Sequence, residues 1–227
     1  MSRDSLKSKE YFDNYISYED QRITKFTDVL KKLPAEESEK IRQCKQYLST
    51  FYKNKLSAMY SAGYDKSSIK SIAEQYLIYS EQSGIVAYSD MVDALSLAIL
   101  FNFSPDMLKH TLENPMFDDA LVLFLKGMIK NKPVYSGEVK LIYPEQYELF
   151  FEILNDSDLF AVEEKMVRFI EHQWYPLNKD MAWFDSHKNP NDVYSGYWCW
   201  LAVAIIKIKK MDKGKFASCK YIPLDLL

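Results

Sequence analysis

Apolar residues recur along the first third of the chain at helical spacing. Phe12, Ile16, Ile23, Phe26, Leu30 and Leu33 fall three, four or seven residues apart, while Lys9, Glu10, Asp13, Asp20, Lys25 and Lys32 take the other face. This is the pattern of an amphipathic helix, so residues 5–33 are read as one long helix that Pro34 stops. Ile41, Cys44, Leu48, Phe51 and Met59 form a second stripe over residues 36–62, and Gly63 suits the left-handed position that ends a helix. Two long helices with so short a break predict an antiparallel hairpin.

Shorter helices follow. Residues 67–82 carry Ile69, Ile72, Ala73 and Tyr76, and residues 87–101 carry Met91, Leu95, Ala98 and Phe101. Ser104-Pro105-Asp106 reads as a helix start, with a hydroxyl cap and a proline in the first turn. Residues 116–130 predict another helix. Pro133 to Tyr143 is the one loop-like or strand-like stretch, and the domain boundary is placed there, giving an N-terminal helical domain 1–132 and a C-terminal helical domain 133–227. In the latter, 145–154 and 158–174 predict a second helical pair around Asn155-Asp156-Ser157. Asn189-Pro190-Asn191-Asp192 is a turn cluster, with Asp192 expected to cap a helix over 193–210. That helix is apolar nearly all round until Lys207 and is expected to be central. The expected fold class is all-α: helical hairpins packed in a two-part array, with little or no β structure.

Composition agrees with this picture and narrows the partners. The 227 residues include only 6 Gly and 8 Pro, few for an all-β fold with many turns, and 48% are hydrophobic. The net charge of −3 creates no overall field that would recruit nucleic acid or an anionic membrane. Cys44, Cys199 and Cys219 are far apart and odd in number, and the opening Ser2-Arg3-Asp4 is unlike a signal peptide, so a reduced, cytoplasmic protein is expected. The apolar-leaning run from Val193 to Ile206 is shorter than the roughly 18 residues that suggest a membrane span.

Trp183, Asp185, His187, Asp192, Tyr197 and Trp198 crowd into one stretch that could be an active site or a structural corner. Asp185 and His187 are two residues apart with His172 a helix away, and neither HExxH nor a calcium loop is present, so no metal and no cofactor are expected. Cys199 lies between Trp198 and Trp200 in an apolar run, a setting that makes a thiol inert. Tyr194-Ser195-Gly196-Tyr197 lacks the frame of a serine nucleophile. The favoured reading is a corner: Trp183 packs, while Asp185, His187 and Asp192 satisfy helix ends.

Charge is less evenly spread than the total suggests. Glu145, Glu148, Glu152, Asp156, Asp158, Glu163, Glu164 and Glu171 face only Lys165 and Arg168 within one helical pair, whereas Lys207, Lys209, Lys210, Lys213, Lys215 and Lys220 crowd the end of the chain around Asp212. The acidic pair is either a solvated surface or a docking face for a basic partner, with Glu145, Glu148, Glu152, Asp156, Asp158, Glu163 and Glu164 as the candidate contacts.

Three C-terminal segments, Trp183-Phe184-Asp185-Ser186-His187-Lys188, Tyr194-Ser195-Gly196-Tyr197-Trp198 and Tyr221-Ile222-Pro223-Leu224-Asp225-Leu226, resemble the bacterial immunity proteins called PoNi. Arg3-Asp4, Lys9-Glu10-Tyr11-Phe12-Asp13 and Tyr60-Ser61-Ala62-Gly63-Tyr64 resemble the N-terminal domain of the same family. Cys199-Trp200-Leu201 departs from it, since relatives tend to place a serine or aromatic followed by an acid there. The resemblance implies an all-α protein of two adjoining domains without enzymatic activity. It also implies a cognate partner encoded beside it, a PoNe-type DNase toxin of PD-(D/E)xK-like fold, which the immunity protein binds and blocks. A DNase presents a basic cleft to its polyanionic substrate, so covering the toxin's DNA-binding and active-site cleft with carboxylates is the expected mode. The class of partner carries over; no set of contact residues and no oligomeric state does. Two other readings stay open. One is a helical adaptor that binds another protein, and the other is a small hydrolase using His187 with Asp185.

Overall fold

A computed structural model describes residues 2–132 and 139–227. Among these residues it contains ten α-helices, several short 3-10 turns and no strand. The fold is all-α, as the periodicity predicts. None of these helices is long and apolar enough to cross a membrane. Residues 133–138, where the boundary at 132/133 and most of the expected loop-like or strand-like stretch fall, lie outside the described residues. Residues 139–143 have no regular structure.

The chain groups into two compact units that interleave in sequence. The first comprises Met1–Ile85, Asp106–Thr111 and Asp185–Tyr197; the second comprises Val86–Pro105, Leu112–Phe184 and Trp198–Leu227.

The first unit is built on α1 (Lys9–Lys32), α2 (Ser38–Ala62) and α3 (Lys66–Ser83). The Ser8 hydroxyl accepts from the Tyr11 amide to start α1, and Leu33 leaves helical geometry just before Pro34. Gly63 ends α2 at φ 94°, where any side chain would be strained, and the amides of Gly63 and Tyr64 return to the carbonyls of Tyr60 and Met59. The Asp65 side chain caps α3. α1 and α2 run antiparallel, so Ile23 meets Leu48 and Phe51 in a core flanked by Phe26, Leu30, Tyr52 and Tyr79. Glu19 lies on the buried stripe of α1 with Phe12, Tyr15, Ile16 and Ile23. Its carboxylate accepts from Asn54 at 3.1 Å and Arg22 at 3.2 Å, while the Arg22 guanidinium lies 3.7 Å from the centre of the Phe51 ring. Burial raises the pKa of Glu19 despite these partners.

The second unit contains α4 (Tyr88–Phe101), α6 (Ala120–Ile129), α7 (Pro144–Asn155), α8 (Leu159–His172), α9 (Trp174–Leu177) and α10 (Trp200–Lys209); α5 (Lys109–Glu113) straddles the two groupings. α10 is buried without interruption from Trp200 to Ile206 and packs on α4 and α7, as a helix apolar on all sides should. It is shorter than expected, however. Residues 193–199 are not helical, and Asp192 caps nothing there. The Tyr194 amide donates to the Tyr11 hydroxyl, Gly196 takes φ 125°, and the Cys199 amide donates to the Tyr221 carbonyl at 2.8 Å. α10 therefore begins without a side-chain cap, at a cost of about 1 kcal/mol. Burying Leu201, Ile205 and Ile206, at about 1.5–3 kcal/mol each, outweighs that cost.

Lysines at the end of α10 finish other helices. Lys207 Nζ donates to the carbonyls of Ile99 (2.9 Å) and Leu100 (2.7 Å) and to Asn102 Oδ1 (2.8 Å), satisfying the last turn of α4. Lys209 Nζ reaches the carbonyls of Leu154 and Asp156 at the end of α7. Part of the basic C-terminal cluster thus serves helix C-termini, where positive charge is favoured.

A remote carboxylate does the converse in the first unit. Glu81, on α3, accepts from the amides of His110 (2.5 Å) and Thr111 (2.9 Å) and from the Thr111 hydroxyl (2.7 Å). Burial pushes the Glu81 pKa up, but the hydrogen bonds from Thr111 and His110 prevail and the net shift is downward. A carboxylate with a depressed folded pKa contributes stability above its unfolded pKa of about 4.3 and loses it as pH falls through the folded value. Glu81→Gln should lower stability at pH 7 by on the order of 1–2 kcal/mol and leave a shallower acid limb below about pH 4. Chemical denaturation across pH 2–7 checks this, and a variant whose acid limb parallels the parent's would contradict it.

Candidate functional site

The stretch containing Asp185, His187, Asp192 and Tyr197 belongs wholly to the first unit, where it forms a strap over α1 and α2. The Tyr11 hydroxyl donates to the Tyr194 carbonyl and accepts from the Tyr194 amide, both at 3.0 Å. Ser61 Oγ donates to the Ser195 carbonyl at 2.8 Å, and the Tyr194 hydroxyl donates to the Asp4 carboxylate. Asp4 itself is held by its neighbours: Ser2 Oγ donates to the Ser61 carbonyl, and Arg3 donates to the carbonyls of Tyr60 (2.9 Å) and Tyr64 (2.8 Å) at the end of α2. Residues singled out at the two ends of the sequence therefore meet in one network.

Tyr197 is the hub of the strap's inner turn. Its buried hydroxyl accepts from the His187 amide at 3.1 Å and lies 2.8 Å from His187 Nδ1 and 3.4 Å from Ser186 Oγ. A hydroxyl that accepts from the amide is positioned to give its own proton to Nδ1. Asp185 sits in the left-handed region at φ 54°, and its carboxylate takes Lys188 Nζ at 2.8 Å. His187 and Asp185 are thus engaged with different partners, Tyr197 and Lys188. Asp192 is exposed, and Asp185 makes no side-chain cap to the short turn that follows it. The hydrogen-bonding residue that locks the corner is Tyr197, supported by Tyr11, Ser61 and Tyr194. No local signal marks these last three as partners, because 183 residues separate Tyr11 from Tyr194.

Trp183 and Trp198 belong to the second unit, where Trp183 stacks on Trp174 at 5.5 Å. The cysteines are all buried and free. Burial pushes every thiol pKa up, Cys219 to about 11, so none is a ready nucleophile. Among the described residues no group of three or more His, Cys, Asp or Glu side chains is arranged to hold a metal.

The seven acidic candidates separate by environment. Glu145, Glu148 and Glu152 are exposed and spaced along one face of α7, with no ion pair to them among the described residues. Glu164 is exposed on α8, 3.9 Å from Arg168. The other three build the fold. Glu163 is buried, and its Oε1 accepts from the Asp212 amide at 2.9 Å. Asp158 caps α8 through the Ala161 amide, and Asp156 accepts from the Asp158 amide while facing Lys165 at 3.8 Å. Glu163 occupies the same stripe as Val162, Met166, Phe169 and Ile170, so the helical period itself marks it as inward-facing.

The corner predicts its own perturbation. Tyr197→Phe leaves the His187 amide without its acceptor and should destabilise the protein by about 1–3 kcal/mol. Denaturant melting measures the loss, and partner affinity per folded molecule should stay at the parent's value. A variant that melts like the parent would mean the corner does not hold the strap.

Two family models match consecutive parts of the chain, a single division that differs from the interleaved units. The family model described as PoNe immunity protein (PoNi), N-terminal, matches residues 3–112, and the one described as PoNe immunity proteins (PoNi), C-terminal, matches residues 117–226. No curated protein sequence matches the chain. The crystal structure of protein PA2201 from Pseudomonas aeruginosa is similar in fold, with a TM-score of 0.70 at 12% identity over 99% of this chain and 89% of that one. With both models matched and nearly the whole sequence spanned, the chain belongs to the PoNi family of PoNe immunity proteins.

Proposed function

We propose that this immunity protein binds a PoNe-type DNase toxin and neutralises it by covering the toxin's DNA-binding cleft with the acidic face of α7. Family membership supports the toxin as partner. The single observation that carries the mode of binding is the row of exposed carboxylates Glu145, Glu148 and Glu152, each without an ion-pair partner among the described residues. A DNA-cleaving enzyme must offer a basic surface to a polyanion. Carboxylates presented on a rigid helix compete for that charge, and the opposed potentials speed encounter. No catalysis by the immunity protein is needed. The adaptor reading shares the protein-binding surface but gives no reason for a negative row. The hydrolase reading requires Asp185 and His187 to act together, whereas the one pairs with Lys188 and the other with Tyr197.

Neutralisation is tested by titrating the chain into a DNA-cleavage assay of the toxin encoded beside its gene. Cleavage should cease at a stoichiometric ratio, and cleavage that persists at excess would refute the reading. Glu145→Lys, Glu148→Lys and Glu152→Lys combined should slow association about ten-fold or more at low salt, within the range that steering supplies. About 0.15 M salt screens exposed charges beyond roughly 8 Å and should narrow the gap. The fold should survive, since surface charges contribute little to stability. Association rates equal to the parent's at low salt would place the interface elsewhere.

A further inference from the structure

The second unit carries a cleft of about 550 Å³ between the start of α4, the first turn of α7 and the segment after α9. Tyr88 contributes a buried aromatic surface, with the rings of Tyr143 and Tyr147 packed edgewise against it at 5.0 and 5.1 Å. This wall is held from behind. The Tyr88 hydroxyl donates at 2.7 Å to Asp119, a fully buried carboxylate that also accepts from the Val122 and Ile142 amides. The bond to Ile142 fixes the backbone next to Tyr143. Yet Tyr143 remains 48% exposed and Val86 62% exposed. An anchored aromatic wall with exposed apolar residues is the form of a recognition pocket.

Its charge is equally specific. Among the described residues Asp180 is the one charged side chain lining the cleft, and it is exposed. Two further hollows in this unit already include a lysine: Lys207 is bonded to the end of α4, and Lys215 Nζ lies 5.5 Å from the centre of the Phe160 ring. Among the described residues the aromatic cleft has aromatic rings and a carboxylate but no basic residue in its lining. α7, which supplies Gln146 and Tyr147 to the lining, also carries the acidic row from Glu145.

We propose that this cleft receives an arginine side chain from the DNA-binding surface of the toxin. The inference rests on the reading that the partner is a DNase. A guanidinium is planar and weakly hydrated, stacks on tyrosine faces and forks onto a carboxylate. A DNA-binding surface presents arginines for phosphate contact. Desolvated in the cleft, such a residue acts as an anchor that slows dissociation, while the exposed acidic row acts on association.

The test compares the parent with Asp180→Asn, Tyr143→Ala and Tyr143→Phe for binding to the purified DNase encoded beside the gene, with thermal melting to verify folding. Asp180→Asn and Tyr143→Ala should each raise the dissociation rate about ten-fold or more with association nearly unchanged, as loss of an interface anchor does. Tyr143→Phe keeps the ring and should dissociate like the parent. Folded Asp180→Asn and Tyr143→Ala variants that dissociate at the parent's rate would overturn the cleft assignment and leave the immunity reading intact. A parent that does not bind the DNase at all would overturn both.

Discussion

The Tyr11 hydroxyl and the Tyr194 backbone exchange two hydrogen bonds, and the first unit is organised around that exchange. Apart from one 3-10 turn at Ser186–Lys188, the strap has no helix or strand ladder to satisfy its amides and carbonyls, so its buried groups depend on side-chain and outside partners. α1 supplies Tyr11, α2 supplies Ser61, and the residues before α1 supply Asp4. Because the strap is Asp185–Tyr197, late sequence completes an early unit, and no single cut of the chain separates the two units.

The same constraint governs the helix ends. Many are finished by side chains distant in sequence: α2 by Arg3, α4 by Lys207, the end of α7 by Lys209. Asp119 combines both kinds of tie, capping α6 locally while holding Tyr88 and the Ile142 amide. Charged residues placed this way spend their hydrogen bonds on architecture, which explains why a cluster that looks basic or acidic in sequence contributes less free charge than its count suggests.

The regular parts of the fold were legible because a helix writes its buried face every three or four residues. α1 to α4 and the α7–α8 pair follow the expected spans within a few residues. The start of α10 was not legible, because the apolar side chains of 193–199 continue the pattern while their backbone is held by Tyr11 and Tyr221. Tyr197 was visible as a member of the corner, but its role as hub depends on a fold that sequence spacing does not encode. Within the acidic group, the period distinguishes Glu163 from Glu164, whereas the aromatic cleft joins residues from Val86 to Met181 and leaves no local trace.

The strap and the N-terminal residues build the first unit, while the proposed toxin-binding surface is α7 with its neighbouring cleft. Amide hydrogen exchange of the chain, alone and with the PoNe-type toxin proposed as its partner, tests this division most directly. The account predicts new protection on binding at residues 143–152 and 177–181, with residues 2–13 and 185–197 unchanged. New protection over the strap with α7 unaltered would contradict it.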